Sequence, residues 1–287
     1  MKTILYGNGF NRLSNGNSWE ELVHAIDDSN DVDKENYKYR IPNTLQYEVK
    51  ALTKTGLKED IASEMLLYNG NSLFVELLNL DVDHIMTTNY DYVPDDIFEK
   101  ELGYIEDKSE RDKSEAMFSI HRKKCFQSGT GKSKFLWKIH GELSNPRSIM
   151  LGYEHYCSYV GHIKKYISGE YNFAKRGKEE KIPKLDDRLN DMSNFEILSW
   201  IDLFFISDIY IVGFGLYYDE IDLWWLLTLR KQKLDNSKIS KNRIVFYGEC
   251  MPGKKELLES LGVEVYTPKA PDFPGKYKEC INDIKNR

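Results

Sequence analysis

The chain has 287 residues with a formal net charge of −6, and hydrophobic residues make up 41% of it. This length and composition can bury the core of one large domain or of two modest ones. The acidic balance excludes the strongly basic character typical of nucleic-acid-binding proteins, so direct nucleic-acid binding is not expected.

The start of the chain does not resemble a targeting segment. A secretory signal needs a basic segment followed by a long apolar stretch. The first apolar run of this sequence, residues 3–6, is short and does not follow a basic segment. The most apolar stretch, residues 195–216, is interrupted by Glu196, Asp202 and Asp208. Because carboxylates are costly inside a bilayer, the sequence predicts a cytoplasmic protein without a membrane span.

The cysteines and histidines do not follow metal-binding patterns. Four cysteines are spread through the chain without short-spaced pairs: Cys125, Cys157, Cys250 and Cys280. A zinc ribbon needs such pairs, so we expect no zinc module and no bound metal. His155 and His162 share one face of a predicted helix, but they lack a third ligand at metal-binding spacing.

The first half of the chain alternates between predicted strands and helices. Residues 3–6 form a short apolar run that ends at a glycine, as buried strands often do. Ser18 and Glu21 have the spacing of a capping box for a helix that continues to about residue 26. Residues 45–68 predict helical structure interrupted near Gly56, and residues 72–80 predict a helix capped by Ser72. The next predicted elements are a strand at 83–88, a helix at 95–102, strands at 135–139 and 148–151, and a helix at 153–167.

The second half repeats this alternation after one charged segment. Residues 168–188 are rich in lysines and acidic residues without an apolar period, so they predict a mobile surface insertion near residues 168–190 that could act as a lid. The remaining predicted elements are a helix at 194–205, a strand at 208–212, a helix at 219–231 capped by Asp219, a strand at 242–247, a helix at 254–261 and a strand at 263–267. Alternating strands and helices form parallel sheets with both faces covered. We therefore predict one α/β domain over residues 1–287, a Rossmann-like parallel sheet with a smaller helical cap drawn from residues 45–80 and the insertion.

The first candidate site motif is a glycine turn after the first predicted strand, formed by Gly7, Asn8, Gly9, Phe10 and Asn11. Two glycines let backbone N–H groups approach a pyrophosphate without a side-chain clash. Residue 12 is an arginine where the dinucleotide fingerprint of dehydrogenases has its third glycine, so a hydride-transfer enzyme is not indicated. The alternative is an ordinary turn between a strand and a helix.

The second and third motifs also follow predicted strands. Asn89 and Asp91 come after the strand at 83–88, where an amide and a carboxylate could orient a ligand, or could simply form an Asx turn. His140 is followed by Gly141, which allows the chain to turn sharply. An imidazole with a pKa near 6.5 suits a general base, and the alternative is a buried histidine bonded to a carbonyl. Residues 213–215, Gly-Phe-Gly, form a further glycine turn.

Taken in this order, the motifs resemble those of the sirtuin-like superfamily, particularly its bacterial antiphage-defence branch. Residues 7–11 are similar to its first glycine motif, and the opening of this motif is also similar to abortive-infection H proteins. Residues 15–22 resemble a downstream Gly-x-Pro-x-Trp-x-x-Leu pattern. Residues 87–91 resemble a Thr-x-Asn-x-Asp motif, residues 138–141 a His-Gly motif, and residues 212–216 a third, glycine-containing motif.

The resemblance implies roles for individual residues. Asn89 would position the nicotinamide ribose or the attacking water, Asp91 would contact the carboxamide, and His140 would be the general base. The residues implied to bind the rest of the dinucleotide are Gly7, Asn8, Gly9, Phe10, Asn11, Thr88, Gly213, Gly215 and Asp219. The four-cysteine zinc module and the acyl-lysine groove motif of deacylating sirtuins are missing from the sequence, which argues against protein deacylation.

The function that the resemblance implies is hydrolysis of NAD+ to nicotinamide and ADP-ribose, with NAD+ as a consumed substrate. Such an NAD+ glycohydrolase would act in antiphage defence by NAD+ depletion. Because depletion is lethal, we expect activation by a partner protein or by assembly into a homo-oligomer. Three alternatives stay open: a deacylase or ADP-ribosyltransferase, a non-catalytic module that binds NAD+ or ADP-ribose, and a nucleic-acid-associated subunit that uses the basic loops.

Overall fold

The computed structural model describes residues 1–17, 43–52, 54–110, 117–175, 178–236, 241–251 and 253–287. The helix predicted from Ser18 and Glu21 lies outside these residues, as does most of the segment that resembles the Gly-x-Pro-x-Trp-x-x-Leu pattern.

An eight-stranded sheet occupies the centre of the described structure. Its strands are β1 (Lys2–Tyr6), β2 (His84–Thr87), β3 (Ile105–Glu106), β4 (Lys123–Gln127), β5 (Ser133–Lys138), β8 (Asp208–Val212), β9 (Ile244–Tyr247) and β10 (Val263–Tyr266). They lie in the order β10-β9-β8-β1-β2-β5-β4-β3, and β6 (Asn172–Lys175) and β7 (Lys178–Lys181) form a separate hairpin. The six strands from β10 to β5 pair in parallel, whereas β4 and β3 are antiparallel. The predicted Rossmann-like parallel sheet is confirmed.

Helices cover both faces of this sheet. The described residues include α1 (Asn43–Ala51), α2 (Leu57–Met65), α3 (Ser72–Leu78), α4 (Val93–Asp96, continued by a π-helical turn to Glu101), α5 (Tyr153–Ser168), α6 (Leu185–Asn190), α7 (Trp200–Ile206), α8 (Ile221–Asp235), α9 (Lys254–Ser260) and α10 (Phe273–Asn286). No helix in these ranges combines the length and apolarity needed to cross a bilayer.

The two faces follow from the alternation of side chains along each strand. In β1, Ile4 and Tyr6 pack into one core with α2, α3 and α10, and Leu5 packs into the other with α5, α7 and α8. Because every side chain of a parallel strand is buried on one face or the other, such strands are read as continuous apolar runs. This is why the main strands could be recognised in the sequence.

Several predicted boundaries were wrong for local reasons. The helix at 72–80 is capped by Asn71, whose Oδ1 accepts a hydrogen bond from the Phe74 N–H at 3.0 Å; Ser72 is already its first residue. The segment predicted as a strand at 148–151 pairs with no strand of the sheet in the described residues, and its Met150 N–H donates to the His140 carbonyl. The helix predicted from residue 194 begins at Trp200, after a capping box at Ser199.

The segment near residues 168–190 contains regular structure instead of the predicted patternless loop. It contains the β6–β7 hairpin and α6, and Leu185 and Leu189 of α6 are buried. Arg188 donates to the Asp202 carboxylate, with Nη2 2.7 Å from Oδ2, and its guanidinium lies between the rings of Tyr166 and Phe195. This part of the segment is therefore packed against α5 and α7.

Candidate functional site

A cavity of about 570 Å³ lies at the carboxyl edge of the parallel strands. Its wall is built from the segments that follow β1, β2, β5, β8 and β9, which contribute Gly9, Asn89, His140, Gly213 and Gly248 respectively. Ligands of open parallel sheets bind at this edge, and the volume is in the range of small-molecule sites. Thr44 of α1 and Met65 of α2 also line the cavity, so the predicted helical cap lies beside it.

The structure brings most of the predicted site residues to this cavity. Those in its wall are Asn8, Gly9, Thr88, Asn89, His140, Gly213, Gly215 and Asp219. Four others are not among the lining residues: Gly7, Phe10, Asn11 and Asp91. The three motifs thus converge on one cavity, and these four residues lie outside its lining.

The two glycine turns are in direct contact with each other. The Gly9 N–H donates to the Gly213 carbonyl at 2.8 Å, and a Cβ atom at Gly9 would lie 2.8 Å from that same oxygen. Gly213 has φ 63°, in the left-handed region that favours glycine. The glycines are therefore required for the close approach of the two turns, and the Gly9 N–H has a partner within the protein.

Asp91 lies under the Asn89 turn and not in the cavity. It is 1% exposed, its Oδ2 accepts from Asn11 Nδ2 at 2.8 Å, and its Oδ1 accepts from the Val93 N–H at 3.0 Å. Burial raises the pKa of Asp91, although Lys138 opposes this shift. These bonds hold the turn in place, so the structure does not put the Asp91 carboxylate where it could touch a carboxamide in the cavity.

Asn89 has the polar group that a ligand could use. Its backbone N–H donates to Thr87 Oγ1 at 3.0 Å, which fixes the turn that follows β2. Its side-chain Nδ2 is buried and has no hydrogen-bond partner among the described residues. Buried donors in native proteins are nearly always paired. An unpaired amide in a cavity wall is therefore available to a bound molecule.

His140 lies between two carboxylates. Its Nε2 is 2.8 Å from Asp222 Oδ2, and its Nδ1 is 3.6 Å from Glu220 Oε2. Gly141, with φ 112°, turns the chain after His140, where a Cβ atom would overlap the Ser148 carbonyl. Glu220 is the N-cap residue of α8 and Asp222 is in its first turn, so Asp219 is not the cap that we predicted. Instead, the Asp219 Oδ2 accepts from the Thr44 N–H at 3.3 Å.

The carboxylates change the protonation of this trio. Burial alone would lower the pKa of His140, but Asp222 and Glu220 outweigh burial and raise it. Burial raises the pKa of Glu220 to about 7, with Asp222 and Asp219 adding to the effect and His140 opposing it. The imidazole is therefore biased toward its charged form near neutral pH. The sequence predicted a general base with an ordinary pKa near 6.5, and the two carboxylates beside His140 were not part of that prediction.

The same trio is the one cluster in the described ranges whose His, Asp and Glu donor atoms lie within 4.8 Å of one another. A metal ion needs a deprotonated imidazole nitrogen and ligands grouped around one point. Glu220 and Asp222 instead approach opposite nitrogens of His140. This arrangement fits a charge-compensated imidazolium better than a metal site.

Cationic groups lie at another part of the cavity wall. Arg12, which follows the first glycine turn, and Lys276 of α10 both line the cavity. The Arg12 guanidinium lies 5.6 Å from the ring centre of Phe273, and Lys276 Nζ lies 2.5 Å from Glu249 Oε1. The wall thus has Arg12 and the Lys276–Glu249 ion pair beside the glycine turns, and an acidic pair, Asp219 and Glu220, near His140.

Sequence reasoning missed five residues of this site: Arg12, Tyr156, Glu220, Asp222 and Lys276. Their signals in the sequence were weak, because each lies outside the three motifs on a segment that reads as an ordinary helix or turn. A start signal for α10 was nevertheless present, since Asp272 caps the helix and a proline lies in its first turn.

Comparison with known families identifies part of the chain. Residues 83–185 match the family model of the SIR2-like domain, and domains of this family use NAD+. The matched segment includes Asn89, Asp91 and His140, whereas the two glycine turns and α8 lie outside it. No curated protein matches the chain.

Proposed function

We propose that this chain, whose residues 83–185 match the SIR2-like domain, is an NAD+ glycohydrolase. One observation carries the proposal: Asn89, His140 and the two glycine turns line a single cavity at the carboxyl edge of the sheet. The reaction would convert NAD+ and water to nicotinamide and ADP-ribose. NAD+ would be a substrate that is consumed in each cycle.

The charges of the cavity wall support this substrate. The pyrophosphate of NAD+ is anionic and would lie near Arg12 and Lys276, beside the glycine turns. The nicotinamide ring is cationic, and positive charge moves to the ribose as the glycosidic bond breaks. That end would lie near Glu220 and His140, where the acidic pair can stabilise the developing charge.

Asn89 and His140 would act on the ribose and the attacking water. The unpaired Nδ2 of Asn89 can donate to a ribose hydroxyl or to water and so orient the attack. His140, held in the wall by Asp222, would supply a proton-donating N–H group, and the Asp222 carboxylate would compensate its charge. Hydrolysis needs both water and C1′ of the ribose in this corner of the cavity.

The direct test is release of nicotinamide from NAD+, identified by mass. We expect the purified chain, once activated by its partner or by assembly, to release nicotinamide and ADP-ribose. We expect Asn89→Ala and His140→Ala each to reduce the activated rate at least about 100-fold. The matched control is Asn236→Ala, which removes an exposed amide at the end of α8. Wild-type rates in the Asn89→Ala and His140→Ala variants would refute the proposed site. Transfer of ADP-ribose to protein, or tight binding of NAD+ without turnover, would point to the alternative activities.

We further propose that the activity serves antiphage defence by NAD+ depletion and is released by a partner protein or by self-assembly. The support is the resemblance of the motifs to the defence branch of the superfamily. We expect NAD+ in bacteria that produce the wild-type chain to fall after phage infection, and to remain constant with His140→Ala. Equal NAD+ levels in the two strains throughout infection would contradict this biological role.

A further inference from the structure

Three ionisable side chains extend from the cavity wall into the protein, in order of decreasing exposure. Glu220 lines the cavity with a side chain that is 15% exposed, whereas the side chains of His140 and Asp222 are 2% and 0% exposed. Asp222 is not a lining residue and contacts the ring nitrogen opposite to the one that faces Glu220. The carboxylate that a ligand meets most readily is therefore that of Glu220.

Glu220 is also held in a defined position. The Tyr156 O–H donates to Glu220 Oε2 at 2.9 Å, and the same oxygen is the one nearest to His140 Nδ1. Asp222 Oδ1 is buried and has no hydrogen-bond partner in the described residues. The side chain of Asp222 is therefore held through Oδ2, which contacts His140. The trio is thus a connected unit with one open end, at Glu220.

We propose, on the basis of the proposed function, that Glu220 accepts the proton of the attacking water. Asp222 is then a positioning residue that holds His140 as an imidazolium next to Glu220. Glu220 is then a catalytic residue, because it would touch the reacting water. Asp222 acts only through His140.

The proposed step balances without a further reactant. The bond between ribose C1′ and the nicotinamide nitrogen breaks, and its electron pair stays with that nitrogen, which gives neutral nicotinamide. A water oxygen forms the new bond to C1′, and one proton of that water moves to the Glu220 carboxylate. Glu220 then releases the proton to solvent through the cavity, which restores the starting state.

The charge of the trio suits this step. When His140 is protonated and Asp222 is ionised, the buried pair is neutral, so Glu220 sets the charge at the cavity wall. An ionised Glu220 makes the trio negative by one charge. That charge lies where the ribose becomes cationic, and fixed charges of opposite sign stabilise such a transition state.

The dependence on pH follows from the surroundings of Glu220. The titratable groups that face it are Tyr90 after β2, His140 after β5, Tyr156 on α5, and Asp219 and Asp222 on its own segment. Burial raises the pKa of Glu220 to about 7, so the carboxylate form that accepts a proton predominates above that pH. Nicotinamide release should therefore rise as the pH increases through about 7.

The kinetic test compares the wild type with Glu220→Gln and Asp222→Asn from pH 5.5 to 9. We expect Glu220→Gln to lower kcat about 100-fold or more, to leave KM within about threefold, and to lose the rise near pH 7. Asp222→Asn should lower kcat about 10-fold or more. Asp235→Asn is the matched control, because it changes an exposed carboxylate on the same helix, α8. A Glu220→Gln variant with normal kcat and a raised KM would overturn the proton-acceptor role and show that Glu220 only binds substrate.

A second measurement tests the interactions within the trio independently of enzymatic activity. The NMR titration of the His140 ring should show a lower pKa in Asp222→Asn and in Glu220→Gln than in the wild type, with Asp235→Asn unchanged. An identical titration in all four proteins would overturn the positioning role of Asp222, whatever the enzymatic result. An activated wild type that binds NAD+ but releases no nicotinamide would refute the proposed function and Glu220's role in it, and the titration would still decide how His140 is held.

Discussion

Asn89 has a buried side-chain nitrogen, Nδ2, that has no hydrogen-bond partner among the described residues. Because its Nδ2 is unpartnered, Asn89→Ala should change the free energy of unfolding by less than about 1 kcal/mol while abolishing nicotinamide release. The measurement is a denaturant titration beside the activity assay. A parallel loss of stability and activity would instead indicate that Asn89 is needed for folding.

Asp91 should behave in the opposite way. Asp91→Ala removes the buried acceptor of two hydrogen bonds, from Asn11 and from the Val93 N–H, so we expect a loss of about 2–3 kcal/mol in stability. Asp96→Ala, which removes an exposed carboxylate on the same segment, should cost less than about 0.5 kcal/mol. Urea unfolding midpoints compare the two, and equal midpoints would contradict a supporting role for Asp91.

At the level of elements, Arg188 joins α6 to α7 and α5 through its contacts with Asp202 and Tyr166. Asp202 is fully buried, and Arg188 donates to both of its oxygens at 2.7 and 3.1 Å. Arg188→Ala would leave that carboxylate without its cationic partner, and we expect a destabilisation of about 2–4 kcal/mol. Arg188→Lys should recover only part of this, because an ammonium cannot form the same paired contacts. Chemical denaturation tests the expected order of stability, which is wild type, then Arg188→Lys, then Arg188→Ala. An unchanged midpoint in Arg188→Ala would favour the mobile insertion that the sequence predicted.

The elements that position the site differ in how far they could be predicted. The strands that lead to the site are short and largely apolar, and they end at glycine or polar residues; they are β1, β2, β5 and β8. Buried strands have this composition, so these strands and the motifs that follow them could be located along the sequence. The convergence of the motifs then followed from parallel strand topology.

The rest of the site depends on tertiary packing. Glu220 and Asp222 look like solvated acidic residues at a helix start, and only the fold brings Asp222 to His140, 82 positions earlier in the chain. The burial of Asp91 likewise depends on Asn11, 80 positions away. No local pattern distinguishes such residues from surface carboxylates. The predicted cap at Asp219 was wrong for a smaller reason, since the helix begins one residue later than its charge pattern suggests.

For the whole molecule, ligand binding should be visible as stabilisation. NAD+ at about 100 times its Kd adds about 2.7 kcal/mol to the stability of a protein that binds it only when folded. In the inactive His140→Ala variant, where NAD+ survives the experiment, we expect Tm to rise by about 5 °C. Adenosine, which lacks the pyrophosphate that Arg12 and Lys276 would contact, should give a smaller rise. Equal shifts for both ligands would contradict the proposed phosphate position.

The position of the last described helix, α10, has a consequence for the synthesis of the protein. The cavity wall begins at Asn8 and includes Phe273, Lys276, Tyr277 and Cys280 of α10. A nascent polypeptide on the ribosome has no complete binding cleft until those residues have emerged. A copy of the chain that lacks α10 therefore lacks part of the cavity wall, and the proposed activity on NAD+ would require that this helix has been made and has packed in place.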